Sequence, residues 1–200
     1  MTFAVEVFPS ARYASEAAAR SAGEIVAGGT LVVTGGGTAA QIYPKLAADL
    51  SSVDVFFSDE RCVPADDENS NFALVDRLLL KPNGAVGVHR MRGEESPIRA
   101  ARDYHAELVP AVERGFDVML LGMGPDNHIA ALFPNSAALI NPDALCLPVD
   151  RPDGMKGLTM TPPALVAARR VLLIVTGEAK AEAVARAVNG DDDELRCPVR

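Results

Sequence analysis

Short runs of apolar, β-branched residues alternate along the chain with longer alanine-rich segments whose apolar positions recur at helical spacing. This alternation is typical of βα units built around a parallel sheet. The candidate strands cover residues 3–8, 30–34, 53–58, 116–122, 144–149 and 170–176. The candidate helices cover residues 10–27, 38–50, 71–80, 97–114 and 178–188. Segments 81–95 and 135–157 are richer in Pro, Gly, Asn and Asp and predict loops, the second enclosing the candidate strand 144–149.

Continuous apolar strands suit a sheet that is covered on both faces. We therefore expect a three-layer α/β fold: an open, mainly parallel, Rossmann-like sheet with helices on both faces. A length of 200 residues with 48% hydrophobic residues fits a single domain over residues 1–200. Ligands of such sheets bind at the carboxyl ends of the strands, so the residues that follow each strand are the candidates for function.

Charge and composition narrow the class of partner. The formal net charge of -8 disfavours nucleic acid and anionic membranes, but it is compatible with a small anionic metabolite held by a few inward-pointing cations. Neither a basic leader nor a run of about 20 apolar residues is present, which predicts a cytoplasmic protein. The 3 cysteines are widely spaced and predict free thiols.

Three glycines, Gly35, Gly36 and Gly37, follow the second candidate strand and precede a helix expected near Thr38. Glycine allows close approach of the backbone to an oxyanion, and a helix start adds unpaired N–H groups with a partial positive charge. A phosphate site and a tight turn without a ligand both fit this segment. It matches neither GxGxxG nor GxxxxGK[ST], which disfavours a dinucleotide or a nucleoside triphosphate.

The third candidate strand delivers Asp59, Glu60 and Arg61 together at its end. An arginine fork can bind phosphate or a developing oxyanion at two points, and an adjacent carboxylate can orient it or a catalytic group. A salt-bridged surface turn is the alternative interpretation.

The strand 116–122 runs into Gly122, Gly124, Asp126 and His128, the best catalytic candidates in the chain. An imidazole can take a proton from water near neutral pH, and a carboxylate two residues away can fix its tautomer. Spacings typical of a metal site are absent, and so is a GxSxG elbow, so we predict neither a metal nor a covalent intermediate. Lys180, after the last strand, is either a further cation for phosphate or a solvated lysine.

Taken together and in order, these segments resemble the 6-phosphogluconolactonase family, whose superfamily also contains glucosamine-6-phosphate deaminases. The motifs that carry the resemblance are GGGT at 35–38, DERCVP at 59–64 with SN at 70–71, GMGPDNHIAALFP at 122–134, LTMT at 158–161 and GEAK at 177–180. The deaminases have a glutamate where this chain has Phe133, so Phe133 and Arg61 favour the lactonase branch.

The resemblance implies hydrolysis of 6-phospho-D-glucono-1,5-lactone in the oxidative pentose phosphate pathway, without metal or other cofactor. In that family pattern His128 activates water and either Asp126 or Asp59 orients it. Phosphate or developing charge would be held by Arg61, Lys180, Gly124 and the loop of Gly35, Gly36, Gly37 and Thr38. The expected partner is the phosphorylated sugar lactone, and the expected state is a monomer or a weak homodimer.

The sequence also departs from the family pattern. Gly37 replaces a serine, Asn127 a glycine and Gly157 an arginine, and the chain ends earlier than the pattern does. Asparagine tolerates positive φ, so the turn at residue 127 is expected to survive. Two alternatives to the lactonase therefore stay open: a sugar-phosphate-binding or regulatory protein with impaired catalysis, and a deaminase or isomerase.

Overall fold

The computed structural model describes residues 4–190 and 194–200, which form two sheets. In chain order the strands are β1 (Thr30–Val33), β2 (Asp54–Phe57), β3 (Asp59–Arg61), β4 (Gly87–His89), β5 (Val118–Gly122), β6 (Cys146–Asp150), β7 (Lys156–Met160) and β8 (Val171–Ile174). The α-helices are α1 (Ala11–Ile25), α2 (Gly36–Ile42), α3 (Asn71–Val75), α4 (Pro97–Arg114), α5 (Pro162–Leu165) and α6 (Ala181–Asn189).

The main sheet is parallel and has the strand order β4-β2-β1-β5-β8. The chain moves outward from β1 through β2 to β4 and then returns to β5 on the other side of β1. The carboxyl ends of β1 and β5 therefore flank the point at which the strand order reverses, where open α/β sheets bind ligands. All four residues of β1 are buried, as its continuous apolar sequence predicts.

A small antiparallel sheet with the order β3-β7-β6 continues from the carboxyl ends of the main-sheet strands. Only Ser58 separates β3 from β2, so the small sheet begins where β2 ends. Asp59 lies opposite Thr159 in this sheet, and Arg61 lies opposite Gly157. Helix α4 packs against β6 and β7.

Two buried tyrosines hold the carboxyl ends of the central strands. The Tyr43 hydroxyl donates to the Thr34 carbonyl at 2.5 Å and accepts from the Thr34 N–H at 3.0 Å. The Tyr104 hydroxyl forms the same pair of bonds with Phe57, at 3.0 and 2.8 Å. Burial raises the pKa of both phenols, so they remain neutral donors. The backbone from which the candidate site begins is thus fixed from within the core.

The predicted fold class is confirmed, and so are the strands expected at 30–34, 53–58, 116–122, 144–149 and 170–176, with shifted bounds. The helix expected at 97–114 has these bounds, and those expected at 10–27 and 71–80 contain α1 and α3. The helix expected at 178–188 overlaps α6, which begins at Ala181 and ends one residue later than expected, at Asn189. The helix expected at 38–50 begins earlier, at Gly36, and ends at residue 45 in a 3-10 turn that contains Pro44. Within the described ranges, no helix is both long and apolar enough to cross a membrane.

Two predictions of local structure are wrong. Residues 4–8 form no strand, and Val5 and Val7 are 58% and 90% exposed; Phe3 lies outside the described residues. Alternation marks a segment that suits a sheet, but a strand also needs a neighbouring backbone to bond with. Conversely, the predicted loop 81–95 contains β4, a three-residue edge strand whose pairing with β2 depends on distant residues.

Candidate active site

The loop after β5 brings His128 and Asp126 into direct contact. Nδ1 of His128 lies 2.6 Å from Oδ1 of Asp126, and the backbone N–H of His128 donates to the same oxygen at 3.3 Å. Burial opposes ionisation of the Asp126 carboxyl, but the attraction of His128 and its hydrogen bonds outweigh this effect and lower its pKa. An ionised carboxylate only accepts hydrogen bonds, so Nδ1 of His128 carries a proton, and in the neutral imidazole the free lone pair is on Nε2.

The imidazole packs closely against its own loop. A Cβ added at Gly124 would lie 2.1 Å from Nδ1 of His128, so a side chain at this position would displace the ring. The ring centroid of His128 also lies 4.6 Å from that of Phe133. His128 is half-buried, which leaves part of the ring open to a ligand.

Helix α6 supports this loop from behind. Asn127, which is 1% exposed and has φ 67°, donates from Nδ2 to the Ala183 carbonyl at 2.6 Å. Arg186 donates from Nε to Oδ1 of Asn127 at 2.9 Å and from a terminal nitrogen to the Pro125 carbonyl at 2.8 Å. The asparagine that departs from the family pattern therefore adopts the left-handed turn and is anchored on both sides of its amide.

Asp59 is a second carboxylate at this edge of the sheet, but it is 5% exposed and one of its oxygens is bonded to neighbouring hydroxyls. Its Oδ1 accepts from the hydroxyl of Thr34 at 3.1 Å and from that of Ser58 at 3.0 Å. The residue paired with it in the sheet, Thr159, accepts a hydrogen bond from the N–H of Ala131 at 3.1 Å. Asp59 and Thr159 therefore join the loops that follow β1 and β5.

Glu60 points to the opposite face of β3 and holds the start of α3. It is 2% exposed and accepts hydrogen bonds from the backbone N–H groups of Arg61, Asn71 and Phe72 and from the Ser70 hydroxyl. Burial raises its pKa, although these four bonds favour the ionised form. Of the three charged residues predicted together, this one is structural.

The glycine loop leads directly into α2, and its members have different roles. Gly35 has no room for a side chain, because a Cβ there would lie 1.7 Å from Oδ1 of Asn71. Gly36, with φ 90°, and Gly37 are exposed, and a Cβ at either would meet open space. Their backbone is accessible to a ligand. Glycine in place of the family's serine at position 37 removes a side chain for which the structure has room.

Residues after β8 close the site on its far side. The Thr38 and Thr176 hydroxyls lie 3.3 Å apart, which joins the start of α2 to the end of β8. Lys180 is half-buried and donates from Nζ to the Met123 carbonyl at 3.0 Å, at the base of the histidine loop. These contacts link the loops after β1, β5 and β8 around one rim.

Arg61 extends from the end of β3, on the same face as Asp59. A terminal nitrogen donates to the Asn69 carbonyl at 2.6 Å, and Nε is buried without an acceptor in the part of the chain that the structure describes. The structure thus places the predicted residues along one linked edge: the glycine loop, Asp59 with Arg61, the histidine loop with Gly124, and Lys180.

Sequence reasoning missed three residues that shape this edge. Arg186 is one of several basic residues on helices, and nothing local marks its contact with Asn127. Thr159 is part of the LTMT motif, but its bond to the histidine loop depends on the pairing of β3 with β7. Arg151 had no motif at all, yet its guanidinium lies 5.5 Å from the Phe133 ring centroid.

The described residues contain no group of three or more His, Cys, Asp or Glu side chains that could hold a metal ion. A surface cleft of about 720 Å³ lies elsewhere, between α3 and β4, and its lining includes Phe72, Arg90 and Glu107. None of the candidate site residues lines that cleft.

A parallel sheet whose strand order reverses beside a histidine–carboxylate pair and an exposed glycine loop defines an α/β protein with polar groups gathered at the carboxyl edge of its strands, where such sheets bind ligands. Comparison with known proteins narrows this class. Residues 6–200 match the family described as glucosamine-6-phosphate isomerases/6-phosphogluconolactonase, and the chain belongs to this family.

Individual relatives agree with the family assignment. The chain is 34% identical to a 6-phosphogluconolactonase of Mycobacterium tuberculosis, over 96% of this chain and 88% of that protein. It is also 34% identical to a 6-phosphogluconolactonase of Treponema pallidum, over 78% of this chain and 70% of that protein. Its fold is similar to the crystal structure of a 6-phosphogluconolactonase from Shewanella baltica, with a TM-score of 0.85, 26% identity and coverage of 96% and 88%. The resemblance seen in the sequence motifs is therefore confirmed.

Proposed function

We propose that this chain hydrolyses 6-phospho-D-glucono-1,5-lactone to 6-phospho-D-gluconate, the reaction for which its relatives are named. The single observation that carries the proposal is the 2.6 Å contact between His128 and Asp126. It supplies an oriented base at the carboxyl edge of the sheet. A δ-lactone is already reactive, so one positioned base and stabilisation of the developing charge suffice.

The proton transfers follow from the tautomer. Nε2 of His128 takes a proton from water as the water oxygen bonds to C1 of the lactone, and the carbonyl oxygen becomes negative. The C1–O5 bond then breaks, O5 receives the proton from Nε2, and the carboxylic acid formed at C1 ionises. Asp126 keeps its charge throughout and stabilises the transient imidazolium.

The phosphate lies at the other end of the substrate in this proposal. The exposed backbone of Gly36 and Gly37, the Thr38 hydroxyl and the Lys180 ammonium provide donors without a carboxylate among them. Lys180 uses one of its three protons on Met123, so two remain for a ligand.

The roles of the two aspartates follow from their contacts. Asp126 touches the imidazole, whereas Asp59 accepts hydrogen bonds from Thr34 and Ser58 and contributes to the backbone around the glycine loop. We therefore assign orientation of His128 to Asp126 and positioning of the loop to Asp59. Phe133 beside the imidazole supplies no acid, which supports lactone hydrolysis over ring opening of an amino sugar.

The test is the release of acid from freshly prepared lactone at slightly acidic pH, where spontaneous opening is slow. His128→Ala is expected to lower kcat by about 10²–10⁴-fold, and Asp126→Asn by about 10²-fold or more, because each removes the oriented base. His89→Gln is the matched control, since His89 pairs with Asp54 and Glu107 away from this site. Wild-type protein that matches the buffer blank would refute the proposal, and a ketose formed from an amino-sugar phosphate would favour the deaminase alternative.

A further inference from the structure

Arg151 occupies the space that the absence of a side chain at Gly157 leaves open. A Cβ added at Gly157 would lie 3.1 Å from Cδ of Arg151 and 3.4 Å from its Cγ, so the alkyl part of Arg151 already covers this glycine. The Arg151 side chain is only 11% exposed, which is unusual for arginine. Its burial so close to the small sheet calls for an explanation.

The face of the small sheet on which Arg151 lies is the face that meets the histidine loop. Asp59 and Arg61 are two residues apart on β3 and so share one face, and their partners Thr159 and Gly157 share it with them. Thr159 on this face bonds to Ala131 of the histidine loop. Arg61 and the covering Arg151 are therefore neighbours on the catalytic side.

The Arg151 guanidinium is also linked to the base through an aromatic ring. It lies over the Phe133 ring at 5.5 Å, and that ring in turn lies 4.6 Å from the imidazole of His128. An arginine over an aromatic face keeps its in-plane N–H groups available for an anion. Arg151 therefore stands one aromatic ring away from the proposed base.

In the free protein Arg151 is paired with a carboxylate of the chain itself. Arg151 donates to Asp153 from Nε at 3.1 Å and from a terminal nitrogen at 2.9 Å. The Arg151 hydrogen bond lowers the pKa of Asp153, and the charge of Arg61 adds a smaller effect in the same direction. Nε of Arg61 is buried and has no acceptor in the described segments. A buried donor without an acceptor costs free energy until a ligand supplies one.

We propose that Arg151, together with Arg61, binds the carboxyl end of the ligand: the lactone oxygen as it gains negative charge, and the carboxylate of the product. This inference rests on the proposed function and divides the ligand between two cationic ends. The glycine loop and Lys180 hold the phosphate, and the two arginines of the small sheet hold C1. A guanidinium suits a planar carboxylate because its two parallel N–H groups match the geometry of the two carboxylate oxygens.

The experiment compares two ligands that differ only at C1. 6-Phosphogluconate carries a carboxylate there and glucitol 6-phosphate a hydroxymethyl group, and both carry the phosphate. Arg151→Met keeps the alkyl cover over Gly157 and removes the charge. The Kd for 6-phosphogluconate, measured by calorimetric titration, is therefore expected to rise at least about tenfold. Binding of glucitol 6-phosphate is expected to change by less than about twofold. Arg102→Met on the exposed face of α4 is the control, with neither affinity altered.

An equal loss of affinity for both ligands, or no loss for either, would overturn the inference.

Asp153→Asn provides a second test that leaves Arg151 in place. It removes the internal competitor, so tighter binding of 6-phosphogluconate is expected, and unchanged or weaker binding would contradict us. Wild-type protein that neither opens the lactone nor binds 6-phosphogluconate would refute the proposed function itself, whereas an active wild type with a fully active Arg151→Met variant would refute this inference alone.

Discussion

Gly124 and His128 are in close contact, and the imidazole of His128 can hold its position only because residue 124 has no side chain. Gly124 is buried and does not have a positive φ, so its backbone would accept alanine. The obstacle is the imidazole, 2.1 Å from the position of an added Cβ. A glycine in this loop is thus required by the contact with His128 and not by the turn.

Gly124→Ala is expected to lower kcat for lactone hydrolysis by about 10–10²-fold, because the added methyl group shifts the base away from the reacting atoms. The measurement is initial rate against lactone concentration, with the free energy of unfolding measured in parallel. Gly23→Ala in α1 is the matched exchange, since its Cβ meets only an ordinary contact of 3.7 Å, and it is expected to stabilise the protein by about 0.5–1 kcal/mol with full activity. Full activity of Gly124→Ala would contradict this role.

At the scale of single elements, α6 and β3 each hold a neighbouring segment through one polar side chain. Arg186 ties α6 to Asn127 and Pro125, and Glu60 ties β3 to the start of α3. Neither contact touches a reacting atom. Both act by fixing the backbone from which the site residues extend.

Arg186→Ala is expected to reduce kcat about 3–10-fold, with a smaller change in KM, because the histidine loop loses two hydrogen bonds from α6. Arg186→Lys should recover part of the loss. Arg186→Ala made in an Asn127→Gly background should have a smaller effect, since one of the two hydrogen bonds of Arg186 is already gone. Strictly additive effects in this double-mutant cycle would show that Arg186 does not act through Asn127.

Glu60→Gln is expected to destabilise the protein by about 1–3 kcal/mol at neutral pH, because an amide nitrogen would replace an acceptor that faces backbone N–H groups. The pKa of Glu60 is raised, so the folded state binds the proton more tightly than the unfolded chain. Its contribution to stability therefore falls as pH rises from the ordinary glutamate value of about 4.3 towards the raised value, and is level above it. The difference between wild type and Glu60→Gln should accordingly widen at acidic pH in urea unfolding, and a constant difference would contradict the shift.

At the scale of the whole molecule, the sequence predicts what is local and repeated. The apolar runs of β1, β2 and β5 are visible because each is largely buried as a continuous segment, and the glycine loop and His128 follow such runs. The apolar run of β8 is visible in the sequence as well, although this edge strand is partly exposed. The roles of Arg151, Glu60 and Arg186 are not visible, because they depend on pairings between distant segments. Residues 4–8 show the reverse error, since a local pattern suits a strand but the described structure provides no pairing for it.

Ligand binding should stabilise the whole fold, because the site draws on loops from both halves of the sheet. At a concentration of 6-phosphogluconate about 100 times its Kd, the free energy of unfolding should rise by about 2.7 kcal/mol. For a chain of this size that corresponds to an increase in Tm of about 5–10 °C. Gluconate, which lacks the phosphate, should produce a much smaller increase in Tm at the same concentration. An equal response to both would show that the phosphate end contributes nothing.

The contact between Thr38 and Thr176 has a consequence for biosynthesis. Thr38 leaves the ribosome early, but the residues that close the rim against it, Thr176 and Lys180, emerge only after more than a hundred further residues have been added. A nascent chain therefore carries its glycine loop for more than a hundred residues of synthesis, and its imidazole for about fifty, before the lysine that completes their enclosure is added. Capture of the sugar phosphate must wait until β8 has joined β5, so ligand cannot guide the earlier steps of cotranslational folding.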